Sequence, residues 1–369
     1  MSFSYWELKE WFSKVDFTVV GSGIVGLNCA LQLRKKYPKA KILVLEKGIL
    51  PQGASTKNAG FACFGSLSEL IDDLKTHTEE EVFNLVKKRW EGLQLLRTTL
   101  GDKNIDFQQH KGFELFLTTE LYESCLNKKE AINKLLKPLF SSDVFTVAPN
   151  EFNFKNIHQH YITNQFEGQI DTGKMAAKLL EKVQSSKIKI INNIQVENFF
   201  ENNERVVVKT NKITFSTHKL FVATNGFANQ LLKEDVQPAR AQVLITKPIK
   251  NLHIKGTFHL DKGYYYFRNI DDRILFGGGR NLDLKREETT EFGQTSLIQN
   301  KLEEILKTTI LPNNKVEIEH RWSGIMGVGN QKKAIVTQLS NNVFCGVRLG
   351  GMGVAIGSLV GKELAELVN

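Results

Sequence analysis

The chain has 369 residues, 41% of them hydrophobic and 24% charged, with a formal net charge of +9. That length fits two domains, or one large α/β domain with an insertion, and the composition excludes a disordered or fibrous chain. Its lysines are scattered rather than gathered into a block, so the positive balance reads as solvated surface and not as a nucleic-acid or membrane-binding tail.

The four cysteines, Cys29, Cys63, Cys125 and Cys345, lie far apart without a C-x-x-C pair. This argues against a disulfide framework or a structural zinc site and fits a reducing compartment. The histidines form no H-E-x-x-H pattern, and His158 with His160 reads as a surface pair on one strand face. No metal is expected. Met1 to Lys14 carries Glu7, Glu10 and several aromatics where a secretory signal needs a basic region and an apolar stretch. No apolar run is long enough to span a bilayer. The expected location is the cytoplasm.

In chain order, Tyr5 to Phe12 reads as a short amphipathic helix leading into the strand Phe17 to Val20. A glycine turn follows, then a helix from Ile24 to Lys36 stopped by Pro38. Lys41 to Leu45 is a second, nearly all-apolar strand, as in a parallel sheet covered on both faces. Val82, Val86, Trp90, Leu93, Leu96 and Leu100 then recur at helical spacing, Gly112 to Thr118 alternates like a strand, and Leu121 to Leu136 marks another helix. From Gln169 the α/β style resumes: helix Lys174 to Val183, strand Ile188 to Ile191, strand pairs through Val208 and Phe215, and the buried strand Leu220 to Gly226. Alternating strands dominate from Val236 to Glu319, among them Gln242 to Thr246, Tyr264 to Phe267 and Arg273 to Phe276. One helix carrying Phe292, Ile298, Leu302 and Ile305 interrupts them. Strand Val343 to Gly346, a glycine turn and a helix from Val354 to Leu367 finish the chain.

Gly21-Ser22-Gly23-Ile24-Val25-Gly26 has the G-x-G-x-x-G spacing in its full context. It follows an apolar strand, opens a helix, and has Glu46 and Lys47 where the second strand ends. Gly21 permits the tight turn, Gly23 lets backbone approach a pyrophosphate, and Gly26 lets helix pack on strand. Ile24 and Val25 begin a helix whose free N–H groups and dipole favour phosphate. Glu46 can accept hydrogen bonds from an adenosine ribose. Three glycines do not separate FAD from NAD, but the next segment helps. Gly53-Ala54-Ser55-Thr56-Lys57-Asn58-Ala59-Gly60, followed by Phe61 and Phe64, is a loop that a flavoprotein can lay along its cofactor.

These motifs resemble the FAD-dependent amino-acid and amine oxidases, a superfamily that includes D-amino-acid oxidase, glycine oxidase, sarcosine oxidase and gamma-glutamylputrescine oxidase. The likeness continues through Glu167 to Asp171, Ala223-Thr224-Asn225-Gly226, Pro238 to Gln242, Tyr264 to Arg268, Gly277 to Arg280, Trp322-Ser323-Gly324 and Leu349 to Val354. It implies an α/β fold with an α+β substrate part: a Rossmann-like FAD-binding domain interrupted by a strand-rich substrate-binding domain, in the glutathione-reductase-2-like flavoprotein architecture. The expected segments are 1–75, 155–235 and 320–369 for the cofactor, and 76–154 and 236–319 for the substrate.

The resemblance also implies roles. Val196 would meet the adenine, and Thr224, Asn225, Gly226 and Gly324 would line the cofactor. Gly351, Met352, Gly353 and Val354 would turn a helix amino end toward the flavin. Tyr264, Tyr266, Arg268, Arg280, Trp322 and Met326 are the substrate-facing candidates. Met326 stands where glycine oxidase-like chains carry a carboxylate-clamping arginine, which points toward an amine, or toward an acid held by Arg268 or Arg280. Gly327 to Lys333 holds no cysteine for a covalent link, so dissociable FAD is expected. The implied reaction takes a hydride from beside an amine, giving an imine, with oxygen or another acceptor reoxidising the flavin. Three alternatives remain open: a 2-hydroxyacid dehydrogenase on the same scaffold, a tRNA-modifying or other nucleic-acid-associated flavoprotein, and a flavin-binding protein without turnover.

Overall fold

The computed structural model describes residues 3–202 and 204–368, so residues 1, 2 and 369 at the ends of the expected segments lie outside it. Val15–Val20, apart from Asp16 and Thr18, and Ile42–Leu45 are apolar, and both strands are almost wholly buried, because a parallel sheet is covered on both faces. They pair in parallel, Phe17 opposite Ile42 through Val20 opposite Leu45, with helix Ile24–Lys36 crossing between them. Thr214–Val222 lies parallel on the other side of the first strand. Val343–Val347 and Ile335–Gln338 continue to one edge, and Lys189–Ile191 forms the other. A hairpin, Val196–Asn202 with Arg205–Thr210, pairs antiparallel onto Thr214–Val222.

The C-terminal helix Gly353–Glu366 packs on Ile24–Lys36 at backbone distance. A Cβ at Gly361 would lie 2.4 Å from the Val25 carbonyl oxygen, and one at Gly357 would lie 2.8 Å from the Ile24 side chain. Glycine is what lets these backbones touch. The helix Glu79–Leu100 packs on the C-terminal helix in the same way: a Cβ at Gly92 would meet the Ala355 carbonyl oxygen at 2.3 Å.

A second sheet runs in the order Ile318–Val328, Gln237–Thr246, Arg273–Gly278, Tyr265–Ile270, Thr257–Leu260, Gly112–Leu115, His160–Asn164, Phe145–Pro149. The period-two alternation of strands sorts its side chains. Leu244, Phe258, Phe267 and Phe276 go to one face and bury against Ile298 and Leu302 of helix Ser296–Ile305. On the opposite face, strand registers set Glu114, His259, Tyr266, Gly277, Val243 and Trp322 side by side in one transverse row.

Four placements differ from the sequence reading. Phe292 precedes its helix, which starts at Ser296. Ile318–Val328 and His160–Asn164 hydrogen-bond into the second sheet although they overlap segments expected with the cofactor part; the former pairs along the whole of Gln237–Thr246. Helix Glu79–Leu100, expected with the substrate part, puts Leu93, Leu96 and Leu100 into the core of the first sheet. Among the described residues no helix is long and apolar enough to cross a membrane.

The helix crossing is testable. Gly361→Val is expected to cost at least about 1–3 kcal/mol by overpacking, read as a lowered thermal unfolding midpoint. A wild-type midpoint would contradict the backbone contact.

Candidate cofactor and substrate site

The first strand ends in Gly21, whose φ of +103° suits glycine; a Cβ there would also meet the Ala223 carbonyl oxygen at 2.8 Å. Gly26 serves packing alone, since a Cβ would fall 1.9 Å from the Gly21 carbonyl oxygen. At the helix amino end the Ser55 hydroxyl accepts from the Ile24 N–H at 3.0 Å, and a Cβ on Gly23 would sit 2.8 Å from that same oxygen. Glu46, only 5% exposed, ties these parts together. Its carboxylate accepts from the Ser22 N–H at 3.1 Å, the Ser22 hydroxyl at 2.8 Å and the Gly48 N–H at 3.0 Å.

A cavity of about 520 Å³ starts here, within the usual range for a ligand site. Gly21, Gly23, Ile24, Val25, Glu46 and Lys47 line it from the first βαβ unit. The loop contributes Gly53, Ala54, Ser55, Asn58, Ala59 and Gly60, with Phe61 next. Val196, Thr224, Asn225 and Gly324 add further wall, and Gly351, Met352, Gly353 and Val354 bring in the amino end of the C-terminal helix. Tyr264, Tyr266, Arg280 and Met326 complete the part against the second sheet. The Lys47 ammonium lies 3.3 Å from the Phe227 ring centroid, and burial pulls its pKa down.

Six expected residues do not line the cavity. Gly26 and Gly226 are packing positions; a Cβ on Gly226 would meet the Met326 carbonyl oxygen at 2.5 Å. Thr56 turns its hydroxyl to the Pro51 carbonyl oxygen at 2.6 Å. Phe64 is buried, stacked on Phe140 at 5.1 Å. Arg268 and Trp322, expected at the substrate, instead hold the cofactor loop. Trp322 Nε1 donates to the Lys57 carbonyl at 2.9 Å. Arg268 Nε donates to the Ala59 carbonyl, and Nη2 donates to the Ile170 carbonyl at 2.9 Å. Arg268 is 2% exposed, and burial lowers its pKa to about 10, so it stays charged at neutral pH. A buried guanidinium must spend its donors on protein acceptors, and the carbonyls of Ala59, Ile170 and Asn269 supply them.

The sequence reading missed His259, Glu167 and Cys63, whose ligating atoms lie within 4.8 Å of one another. His259 Nε2 and Glu167 Oε1 are 2.5 Å apart. Burial pushes the imidazole pKa down, but the charge and hydrogen bond of Glu167, with Glu69 and Glu114 beyond, raise it to about 9. The Cys63 thiol is driven well above its ordinary pKa by burial and then by Glu167 and Glu69, so it stays a thiol. Glu167 belongs to a motif quoted above, but 92 positions separate it from His259, and no local spacing joins them. Also on the cavity lining, Lys262 faces Asp72 at 3.8 Å, and Lys332 pairs with Asp73.

The site fits a flavin dinucleotide. Two helix amino ends converge on it, the Ser55 hydroxyl stands at one of them, and the buried Thr224 hydroxyl, on the cavity wall, has no partner.

The family model DAO, FAD dependent oxidoreductase, matches residues 16–367. The gamma-glutamylputrescine oxidoreductase of Escherichia coli is 26% identical, over 96% of this chain and 83% of that one. Among solved structures, L-proline dehydrogenase from P. horikoshii superposes with a TM-score of 0.78 at 19% identity, covering 96% of this chain and 93% of that one. Glycine oxidase from Geobacillus kaustophilus also gives a TM-score of 0.78, at 16% identity, covering 96% and 94%. These superpositions bear on the fold.

Because Trp322 reaches the cofactor loop through a single hydrogen bond, Trp322→Phe is expected to weaken FAD binding by a factor of about 2–10. Fluorescence titration of the apoprotein reads this directly. A larger effect on substrate affinity than on FAD affinity would contradict the assignment.

Proposed function

The chain belongs to the FAD-dependent oxidoreductase family, and from that premise we propose that it oxidises the C–N bond of an amine or amino acid to an imine. The bound flavin supplies the hydride acceptor, and the protein supplies binding, orientation and electrostatics. One observation carries the reading. A single cavity runs from the amino ends of Ile24–Lys36 and Gly353–Glu366 to the inward-facing row of the second sheet. A cofactor laid along the first part leaves the second part for a small molecule.

On that second part the side chains can bind and orient a substrate and exclude water. Phe61 sets its ring edge-on against Tyr266 at 5.6 Å between centroids, closing the apolar side. Burial pushes the Tyr266 phenol up to about 12, so it remains a hydrogen-bond donor at all working pH values. Met326 gives an apolar wall beside Gly351, with its sulfur 3.4 Å from where a Cβ on that glycine would stand. The positive end of the C-terminal helix would stabilise negative charge gathered on the cofactor as it is reduced. The imine leaves for hydrolysis by water, so no side-chain nucleophile is required, in keeping with the protonated Cys63.

The relatives' names span an amine derivative and the amino acids proline and glycine, and the same breadth defines the panel to test. Holoenzyme mixed anaerobically with amines, amino acids and 2-hydroxyacids is expected to lose flavin absorbance with a member of the first two groups. Bleaching by hydroxyacids alone, or by none of the panel, would overturn the reading.

A further inference from the structure

Lysines that are scattered along the sequence are partly gathered by the fold. Lys41 Nζ donates to the Ser13 carbonyl at 2.6 Å, and Lys189 Nζ donates to the Glu10 carbonyl at 2.6 Å. Arg34 donates to the carbonyls of Pro38, Ala40 and Lys187. These bonds join segments 4–16, 34–41 and 186–189 at the amino ends of strands Val15–Val20, Ile42–Leu45 and Lys189–Ile191. The three segments hold nine basic residues against three acidic ones, so this end of the first sheet carries six of the chain's nine net positive charges. Two of the three acids are already engaged: Glu10 pairs with Lys189 at 2.5 Å, and Asp16 accepts from the Lys41 N–H at 2.6 Å.

At the same end an aromatic helix stands in water. Ser4 and Glu7 cap it reciprocally, and Tyr5–Glu7 runs on into the helical turn Leu8–Phe12. Phe12 is its one buried residue, with ring centroids 5.2 Å from Phe3 and 5.4 Å from Phe215. The helix is therefore fixed to the core, yet it exposes Tyr5 by 66%, Trp6 by 70%, Leu8 by 40% and Trp11 by 38%. An apolar patch left in water on an anchored element marks an interaction surface. Cations stand against its rings: Lys9 Nζ lies 5.9 Å from the centroids of both Tyr5 and Trp6, and Lys189 Nζ lies 5.0 Å from that of Trp11.

Charge and composition together select the occupant. Tryptophan and tyrosine flanked by lysine suit a bilayer interface, where the rings sit among headgroups and the lysines meet anionic lipid. A second copy of the chain fits worse, because a two-fold contact would set this patch against itself and oppose two surfaces of one sign. Lysine is also depleted at protein interfaces. Single-stranded nucleic acid is held in a basic groove with bases stacked along it, whereas this helix projects and carries Glu7 and Glu10 among its rings.

We propose that this end of the first sheet docks on an anionic lipid bilayer. Tyr5, Trp6, Leu8 and Trp11 enter the headgroup layer, and the lysines around them face the anionic headgroups. The surface is independent of the reaction proposed above. The cavity begins at Val20, Gly21, Leu45 and Glu46, at the opposite ends of the same strands, about 17 Å of strand away. A docked protein thus keeps its cofactor site off the lipid.

The test is co-sedimentation of holoenzyme with vesicles of phosphatidylglycerol and phosphatidylcholine, set against vesicles of phosphatidylcholine alone. Binding to the anionic vesicles is expected to be at least about tenfold stronger and to weaken as salt screens the charges. Tyr5→Ser with Trp6→Ser removes the two most exposed rings and should weaken it at least about tenfold. Lys9→Glu with Lys39→Glu should do the same through charge. Leu297→Ser, at an exposed leucine on the second sheet's helix, should leave it within about twofold. Flavin absorbance and the unfolding midpoint report that each variant is folded; should the ring variant fail to fold, the lysine variant and the salt series decide the matter. Equal binding to the two kinds of vesicle, no binding to either, or full binding after loss of the rings would overturn the proposal. So would a dimer in solution that the ring variant splits while vesicles bind neither form, which would make a second copy the occupant. Preference for single-stranded RNA over anionic vesicles, lost in the ring variant, would overturn it as well.

Discussion

The architecture depends on two helices meeting at backbone contact. Where Gly361 rests on the Val25 carbonyl, the amino ends of Ile24–Lys36 and Gly353–Glu366 are carried to one cavity. Each end offers N–H groups that have no partner within the helix and the positive pole of a helix dipole. In the proposed reading one end would receive a diphosphate, and the other would face the place where charge develops on reduction. A bulkier residue at the crossing would separate them, so a packing constraint far from the chemistry sets the electrostatics of the site.

A second constraint joins the two sheets. The loop from Gly53 to Gly60 emerges from the first sheet, but its carbonyls are held by Trp322 and Arg268 of the second. Cofactor wall and substrate wall are thus registered to each other by side chains rather than by chain connectivity. The same face of the second sheet carries His259 and Tyr266 a few strands along. One transverse row therefore does two jobs, fixing the loop at one end and lining the cavity toward the other.

What the sequence could and could not reveal follows from the range of each interaction. The glycine turn, its helix and Glu46 were legible because phosphate binding needs them within one βαβ unit. Helix and strand positions followed from periodicity, as for Ile24–Lys36, which has the expected ends. Arg268 and Trp322 looked like substrate contacts because a polar residue on a strand gives no sign of what stands opposite it. Only the register against Ala59 and Lys57 shows that both are spent on backbone. His259 carried no local signal, since its partner Glu167 lies on another strand connection and its neighbour Tyr266 is set by sheet register. The pairing of Ile318–Val328 with Gln237–Thr246 had no local signal for the same reason: pairing partners are chosen by tertiary context rather than by propensity.

The central claim is that the cofactor's diphosphate lies against the backbone at Gly23, over the first helix. It is tested most directly by titrating apoprotein with FAD for wild type and for Gly23→Ala. A methyl there would fall 2.8 Å from the Ser55 hydroxyl that accepts from the Ile24 N–H and crowd the approach of phosphate to this end of the helix. The account predicts stoichiometric uptake by wild type and affinity at least about tenfold weaker in the variant, equivalent to about 1.4 kcal/mol or more. Equal affinity in the two proteins would contradict it.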